Sequence, residues 1–488
     1  MNNKPAQDSP NVDDDRQIAL IVDLDGTLVL TDTLWESVLR ICHTKPWLLF
    51  VFPIWLLQGG RARLKAEISK RISIDPSSLP YRTKLIEIIT DAKNKGRETI
   101  LATAANENIG QSISNHLGIF DHVIASNETQ NLKSHQKLEV ILKHLEDKPF
   151  DYVGDSKADI PIWTASRKAF SVSNNNRIKK KINSLDNGHN IDSLPKPGVR
   201  IIAKTVRLHQ WAKNILLFVP LILSQQLNNS ELITALFLAF LSFGLCASST
   251  YIWNDLLDLP NDRKHPSKKK RALASGAISI PVGIALSLGL LVTSFTLSIT
   301  FLPSLFTVML GGYIALTLSY SFYFKRKLMA DVLMLGGLYT YRIIIGAVAI
   351  SVVVSPWLLA FSIFFFLSLA FVKRYIDLLS TTEDTGEQIG GRGYFVRDLS
   401  TIQSMGTSAS YLSVLVLALY INSPVVTTLY SKPEGLWLLC PLLLYWLSRI
   451  WFLASRNHMP EDPILFAIKD KISYLVGILS FVVLLASS

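Results

Sequence analysis

Beyond Gly198 the chain is a succession of apolar runs, each near the 20 or so residues that a helix needs to cross a bilayer. A backbone inside hydrocarbon must satisfy its own polar groups, so such runs are expected to pack as an all-α transmembrane bundle. Nine candidate spans fall at roughly 201–223, 231–253, 278–300, 304–323, 331–351, 355–372, 407–426, 435–453 and 472–487. The first carries Arg207, His209 and Lys213 and is expected to begin amphipathically at the interface. Before Gly198 the chain is mixed and charged, so the 49% hydrophobic content averages two unlike parts.

The charge distribution suggests an orientation. Residues 1–16 are polar, contain Asp13, Asp14 and Asp15, and lack the apolar centre of a signal peptide. They are expected to be a disordered, cytoplasmic N-terminus. With that end inside, the inner connections hold Arg263, Lys264, Lys268 to Arg271 and Lys325 to Lys327. Later inner connections add Lys373, Arg374, Arg392, Arg397, Arg456, Lys469 and Lys471, while the outer ones hold only Lys432. This is the asymmetry of a multi-pass protein whose basic loops face the cytoplasm. The net charge of +11 is therefore read as topology and not as nucleic-acid binding. The expected location is a bacterial inner (cytoplasmic) membrane, with the N-terminal domain and both candidate sites on the cytoplasmic side. Cys42, Cys246 and Cys440 lie far apart without metal-ligand spacing and read as ordinary thiols.

In the N-terminal part, 17–24 (QIALIVDL), 99–102 (TILA) and 150–153 (FDYV) read as short buried strands, with helical patterns between them. That alternation predicts an α/β, Rossmann-like parallel sheet wrapped by helices, with ligands at the carboxyl ends of its strands. The polar stretch 176–199 reads as a linker between a domain at 17–175 and the bundle at 200–488.

Asp23-Leu-Asp25-Gly26-Thr27 follows the first strand directly. Carboxylates two apart project the same way from an extended chain. Such a pair suits phosphoryl transfer, one attacking phosphorus and the other protonating the leaving oxygen. Thr103 ends the second strand and can donate to a phosphate oxygen; Lys137 can neutralise charge, with Lys133 as its competitor. Asp155 and Asp159, after the third strand, offer oxygens to Mg²⁺. The set resembles the haloacid dehalogenase superfamily of phosphatases over roughly 17–175. The resemblance implies Asp23 as nucleophile, Asp25 as general acid and base, and one Mg²⁺ held by Asp23, Asp155 and the Asp25 backbone carbonyl. The 70 or so residues between the first two motifs leave room for a small helical cap at about 30–98. Within it, Pro46 to Leu57 (PWLLFVFPIWLL) is almost wholly apolar and is followed by Arg61, Arg63 and Lys65. It is too short to span and suits an interfacial contact with the membrane.

After the second span, Asn254-Asp255-Leu-Leu-Asp258-Leu-Pro-Asn-Asp262-Arg263 spaces its acids by three and four, as on one helix face. Carboxylates beside a membrane helix are costly and usually functional. Three together suit Mg²⁺ and a pyrophosphate. The pattern resembles the first aspartate-rich motif of the UbiA superfamily of intramembrane prenyltransferases, over roughly 200–488. The second such motif is replaced here by Phe371-Val-Lys373-Arg374-Tyr375-Ile-Asp377. Together with Lys213, Arg263, His265, Lys268, Arg271 and Lys325, these cations look like the branch that transfers phosphoribose to polyprenyl phosphate. The resemblance implies phosphoribosyl pyrophosphate as donor, a polyprenyl phosphate lipid as acceptor and one or more Mg²⁺ on Asp255, Asp258 and Asp262. Phosphate contacts are then expected from Asn254 and the cations just named; Lys325 reads equally as a topology signal. The fused phosphatase would remove the 5-phosphate from the lipid product. An aromatic, quinone-precursor prenyltransferase with an attached phosphatase is the alternative, and a non-catalytic membrane anchor or transporter the third reading. A homo-oligomer is compatible with each.

Overall fold

The structure is a computed structural model and describes residues 15–191, 198–379, 393–460 and 462–487. Asp13, Asp14, Arg392 and residues 192–197 of the expected linker lie outside them. The backbone divides into two compact units, Met1–Thr205 with Ile252–Leu286, and Val206–Tyr251 with Ser287–Ser488.

The first unit is built on six parallel strands: β1 (Ala19–Val22), β2 (Thr99–Asn106), β3 (His122–Ser126), β4 (Phe150–Gly154), β5 (Lys168–Ser171) and β6 (Gly188–Asn190). Their order is β3-β2-β1-β4-β5-β6. All four residues of β1 are buried because helices cover both faces of the sheet. Ala19 and Ile21 pack with Ile100, Phe150 and Trp163, while Leu20 and Val22 pack with Ile89, Leu101 and Val153. Residues 176–191, read above as linker, instead form helix Asn176–Asn183 and strand β6. Ile178 and Ile182, one turn apart, are buried in the sheet's core and hold that helix down.

The cap is smaller than expected. Helix Thr33–Thr44 starts at Asp32, whose carboxylate accepts from the Leu34 and Trp35 N–H groups. Helix Phe52–Arg71 bends at Gly59 and Gly60. These elements enclose their own core of Ile41, Trp55, Leu64, Ile68 and Ile72. The next helix, Thr83–Asn94, belongs to the sheet layer, because it delivers Leu85, Ile89 and Ala92 to the sheet's core. The apolar cap segment splits by function. Trp55 is buried under the Arg71 guanidinium, whereas Trp47, Phe50 and Leu57 are 61%, 84% and 88% exposed.

Among the described residues, seven helices are long and apolar enough to cross a membrane, the first Ser230–Leu257 and the last Pro433–Ser455. The first and last of the nine expected spans are shorter apolar helices, Leu208–Leu223 and Lys471–Ser487. The first is interrupted because Arg207 adopts a left-handed φ of 55° and 208–218 winds as a tighter 3₁₀ helix. In the second unit, small polar residues join helices as they do in membranes. Ser242 and Ser294 exchange hydroxyl–carbonyl hydrogen bonds, Ser249 pairs with Ser287 at 2.8 Å, and Ser368 pairs with Ser410 at 2.6 Å beneath the Trp451 N–H. The chain is a multi-pass membrane protein.

The exposed Trp47, Phe50 and Leu57 predict that the cap rests in the acyl boundary. An environment-sensitive dye on Phe50→Cys should emit as in an apolar medium when the protein is in lipid nanodiscs. The same dye on Gln111→Cys, on another exposed surface, should emit as in water. Equal, water-like emission from both would exclude membrane contact by the cap.

Candidate active sites

The carboxyl ends of β1 and β4 meet at the centre of the sheet, where a doubly wound fold opens a crevice. Asp23 lies just past β1, and its Oδ1 accepts from Lys137 Nζ at 2.7 Å. Lys137 also donates to the Tyr152 hydroxyl at 3.1 Å, which donates to Asp159 Oδ1 at 2.8 Å. The other Asp159 oxygen accepts from the Ser156 N–H and hydroxyl, both at 2.9 Å. Gly26 has a φ of +76°, and a Cβ there would overlap the Asp155 carboxylate, so only glycine allows this turn to approach β4.

Asp23, Asp155 and Asp159 each offer an oxygen, all within 4.8 Å of one another. A cluster of hard oxygen donors with a single lysine fits Mg²⁺. Burial pushes the Asp23 carboxyl up to about 6 against the pull of Lys137. Burial also raises Asp155, helped by Asp23 and Asp159. Asp25 stands apart from the trio. Its Oδ1 accepts from the Thr33 N–H at 2.7 Å, and burial, with Asp32 beside it, pushes its carboxyl up to about 7. One carboxylate is thus held by a cation and the other is poised to carry a proton, the division that acid–base chemistry requires.

The cavity here has a volume of about 680 Å³ and is lined by Asp23, Asp25, Lys133, Lys137 and Asp155. Thr103 does not line it. The side chain is fully buried, and its hydroxyl accepts from the Ala105 N–H at 2.9 Å. β2 runs on to Asn106, and the cavity wall is Ala104, Ala105 and Asn106. Lys65, from the cap, was not singled out for this site. It lines the cavity and donates to the Ala104 carbonyl at 2.6 Å, and burial lowers its ammonium pKa.

The aspartate-rich segment also belongs to the first unit. Helix Ser230–Leu257 ends before Asp258, and Pro260 opens the short helix Leu259–Lys264. Asp255 and Asp262 converge on one guanidinium, Arg271 Nη1, at 2.9 and 2.7 Å. With Asp258, they do not form a three-carboxylate group of the kind around Asp155. Asp255 and Asp262 are thus bridged by a cation, Arg271. Burial raises the Asp262 carboxyl despite Arg271, consistent with a site short of positive charge. Arg263 spends its donors on protein, namely Glu36 at 2.6 Å and the Ala274 carbonyl at 3.0 Å. His265 accepts from the Ser267 and Lys268 N–H groups in a local turn. The Asn254 carbonyl accepts from the Asp258 N–H.

In the second unit, Lys213 is ion-paired with Asp462. Burial would raise Asp462, but Lys213 and Lys373 together hold it below the usual carboxylate range. Arg342 is buried and donates to the Leu338 carbonyl at 2.6 Å and to Asn214 Oδ1 at 3.3 Å. The Asn214 Nδ2 is buried without a partner among the described residues, a donor left for a ligand. Lys373 and Arg374 are not in a loop, because helix Pro356–Leu379 runs through them. Arg374 is buried against Asp331, with Asp377 at 2.5 Å and the Tyr320 hydroxyl at 3.3 Å. It is a helix-packing hub and not an open phosphate ligand. Lys325 lies in the turn Phe324–Arg326. Asp462, Asn214 and Arg342 were missed as site residues. A lone arginine inside an apolar run was the available signal for Arg342.

A model of the UbiA prenyltransferase family matches residues 215–472. The chain belongs to that family. Uncharacterized protein y4nM of Sinorhizobium fredii is 38% identical, covering 95% of this chain and 90% of that one. The nodulation protein NoeC of Azorhizobium caulinodans is 34% identical, over 54% of this chain and 85% of its own length. Decaprenyl-phosphate phosphoribosyltransferase of Mycobacterium tuberculosis is 32% identical, over 41% of this chain and 67% of that one.

The Asp23–Lys137–Tyr152–Asp159 network predicts a mutual dependence. Lys137→Met strips the buried carboxylates of their cation, and breaking a buried pair costs about 3–5 kcal/mol. The apparent thermal midpoint should fall in EDTA and recover in part with millimolar Mg²⁺, as ligand linkage requires. A variant that melts like the parent in EDTA would show that Lys137 does not hold the cluster.

Proposed function

We propose that this protein transfers 5-phosphoribose from phosphoribosyl pyrophosphate to a polyprenyl phosphate and then removes the 5-phosphate. The observation that carries the transferase half is the cationic set in the second unit, Lys213 and Lys373 about Asp462 with the unpartnered Asn214 amide. A donor and acceptor with phosphate at both ends need such charge. The likeness to decaprenyl-phosphate phosphoribosyltransferase supports the same reading. The acceptor's phosphate oxygen would attack ribose C1 as the bond from C1 to pyrophosphate breaks. That attacking oxygen is already ionised, so no general base is required. Asp255, Asp258 and Asp262 are the residues that would hold Mg²⁺. The ion would supply positive charge to the departing pyrophosphate. Lys213, Asn214 and Lys373 are assigned to phosphate oxygens.

In the phosphatase half, the Asp23 carboxylate would attack phosphorus while Asp25 protonates the ribose 5-oxygen as it leaves. Asp25, now ionised, would take a proton from the water that releases phosphate from Asp23. Lys137 would hold and orient the Asp23 carboxylate for the attack. Asp155 and Asp159 complete an Mg²⁺ site that offsets the repulsion between carboxylates and phosphate.

Purified protein with Mg²⁺, phosphoribosyl pyrophosphate labelled in the ribose and a polyprenyl phosphate should move label into the lipid extract. Asp258→Asn should cut that transfer by about tenfold or more, as lost metal support does. Asp23→Asn should leave transfer intact and accumulate the 5-phosphorylated lipid. Label that stays in water would overturn the reading. Prenyl transfer from a diphosphate to an aromatic acid would replace it with the aromatic prenyltransferase alternative.

A further inference from the structure

The stretch Ile252–Leu286 starts with the aspartate-rich motif, and its second half packs against the α/β domain within the same unit. Arg263 Nη2 donates to Glu36 Oε1 at 2.6 Å, with both side chains only 7% exposed. Its Nη1 donates to the Ser78 carbonyl at 3.4 Å. Lys264 pairs with Asp75 at 2.9 Å. Glu36 also accepts from the Thr31 hydroxyl at 2.8 Å, and the Thr31 carbonyl accepts from the Gly26 N–H at 3.2 Å. Hydrogen bonds thus run from Arg263 into the turn that carries Asp23 and Asp25. Gly276 has a φ of +75°, and a Cβ there would stand 2.6 Å from the Leu30 Cβ. Glycine is required for both reasons. Three residues later, Ser279 and then Pro281 line the cavity that holds Asp23 and Asp25.

We propose that residues 263–281 form one wall of the phosphatase's substrate site and make it selective for a phosphomonoester carried on a membrane lipid. This rests on the phosphatase reading above. Three observations carry it. The Arg263–Glu36 pair is desolvated, unlike an exposed ion pair that holds little in place, and truncating either partner would leave a buried charge. The cavity, at about 680 Å³, is of the size that encloses a whole organic ligand. Its lining is also mixed, with the carboxylates of Asp23, Asp25 and Asp155 and the apolar side chains of Trp35, Leu64 and Ile68, as an amphiphile requires. Finally, Pro281 is the second residue of the membrane-length helix Ile280–Phe301. A substrate touching this wall therefore touches the start of a helix long and apolar enough to cross a membrane.

Glu36→Arg and Gly276→Val, each in the full-length protein, test the wall without touching the carboxylates. The substrates are the 5-phosphorylated lipid that Asp23→Asn accumulates and free ribose 5-phosphate. Both variants should lose about tenfold or more in kcat/KM on the lipid and markedly less on ribose 5-phosphate. Glu36→Arg combined with Arg263→Glu should regain most of the lipid activity, which a merely misfolded variant would not. Equal losses on both substrates, no loss on either, or a parent that does not prefer the lipid would overturn the proposal. If Asp23→Asn accumulates no such lipid, the function proposed above falls instead. The wall is then judged by the same variants and criteria on phosphatidic acid in detergent against ribose 5-phosphate.

Discussion

Carboxylates crowded at the end of a buried sheet repel one another, and the first unit is arranged around that repulsion. Asp23, Asp155 and Asp159 come within one ion's reach of each other, and Lys137 is the buried cation hydrogen-bonded to Asp23. Tyr152 passes a hydrogen bond from that lysine to Asp159, so the network is satisfied without cancelling its net negative charge. The remaining deficit is of the kind that Mg²⁺ with a phosphate would offset. The parallel sheet follows from the same requirement, since it brings residues more than a hundred positions apart to adjacent strand ends.

The second unit solves the opposite problem. Its buried cations must be balanced without being used up. Arg374 is matched by Asp331 and Asp377 and is committed to helix packing. Lys213 is ion-paired with Asp462 and Lys373 also acts on that carboxylate, while the Nδ2 of Asn214 has no partner among the described residues. The Asp23 cluster and the Lys213–Lys373 set therefore differ in the sign of their dominant charge. A reaction sequence that handles pyrophosphate, lipid phosphate and then a phosphomonoester uses both signs.

Much of this was legible in the sequence, and the gaps have physical causes. β1 and the Asp23–Thr27 turn were readable because a fully buried strand leaves a continuous apolar run and a tight turn needs glycine. β6 and the helix before it were not, since Ile178 and Ile182 are two apolar residues among lysines. The Asp255–Asp262 spacing predicts a shared face, and Arg271 bridges Asp255 and Asp262, a contact that the spacing alone does not specify. Thr103 reads as the residue that ends β2, but the strand runs on to Asn106, and Ala104, Ala105 and Asn106 line the cavity instead. Trp55 and Phe50 share one apolar segment, and only the cap's tertiary packing buries one and exposes the other.

The stretch 252–286 answers to two demands at once, and this narrows what its residues can be. Asp255, Asp262 and Arg271 form one charge group. Nine positions before Arg271 ends that group, Asp262 is followed immediately by Arg263, whose guanidinium is committed to Glu36 and to the Ala274 and Ser78 carbonyls. Adjacent residues on one short helix thus serve opposite partners. A change that pulls Arg271 away from Asp262 must act on the helix that also positions Arg263. Gly276 then removes the slack, because its contact with Leu30 tolerates no side chain. Asp262 and Arg263 thus tie the aspartate-rich segment and the cap to the same short helix.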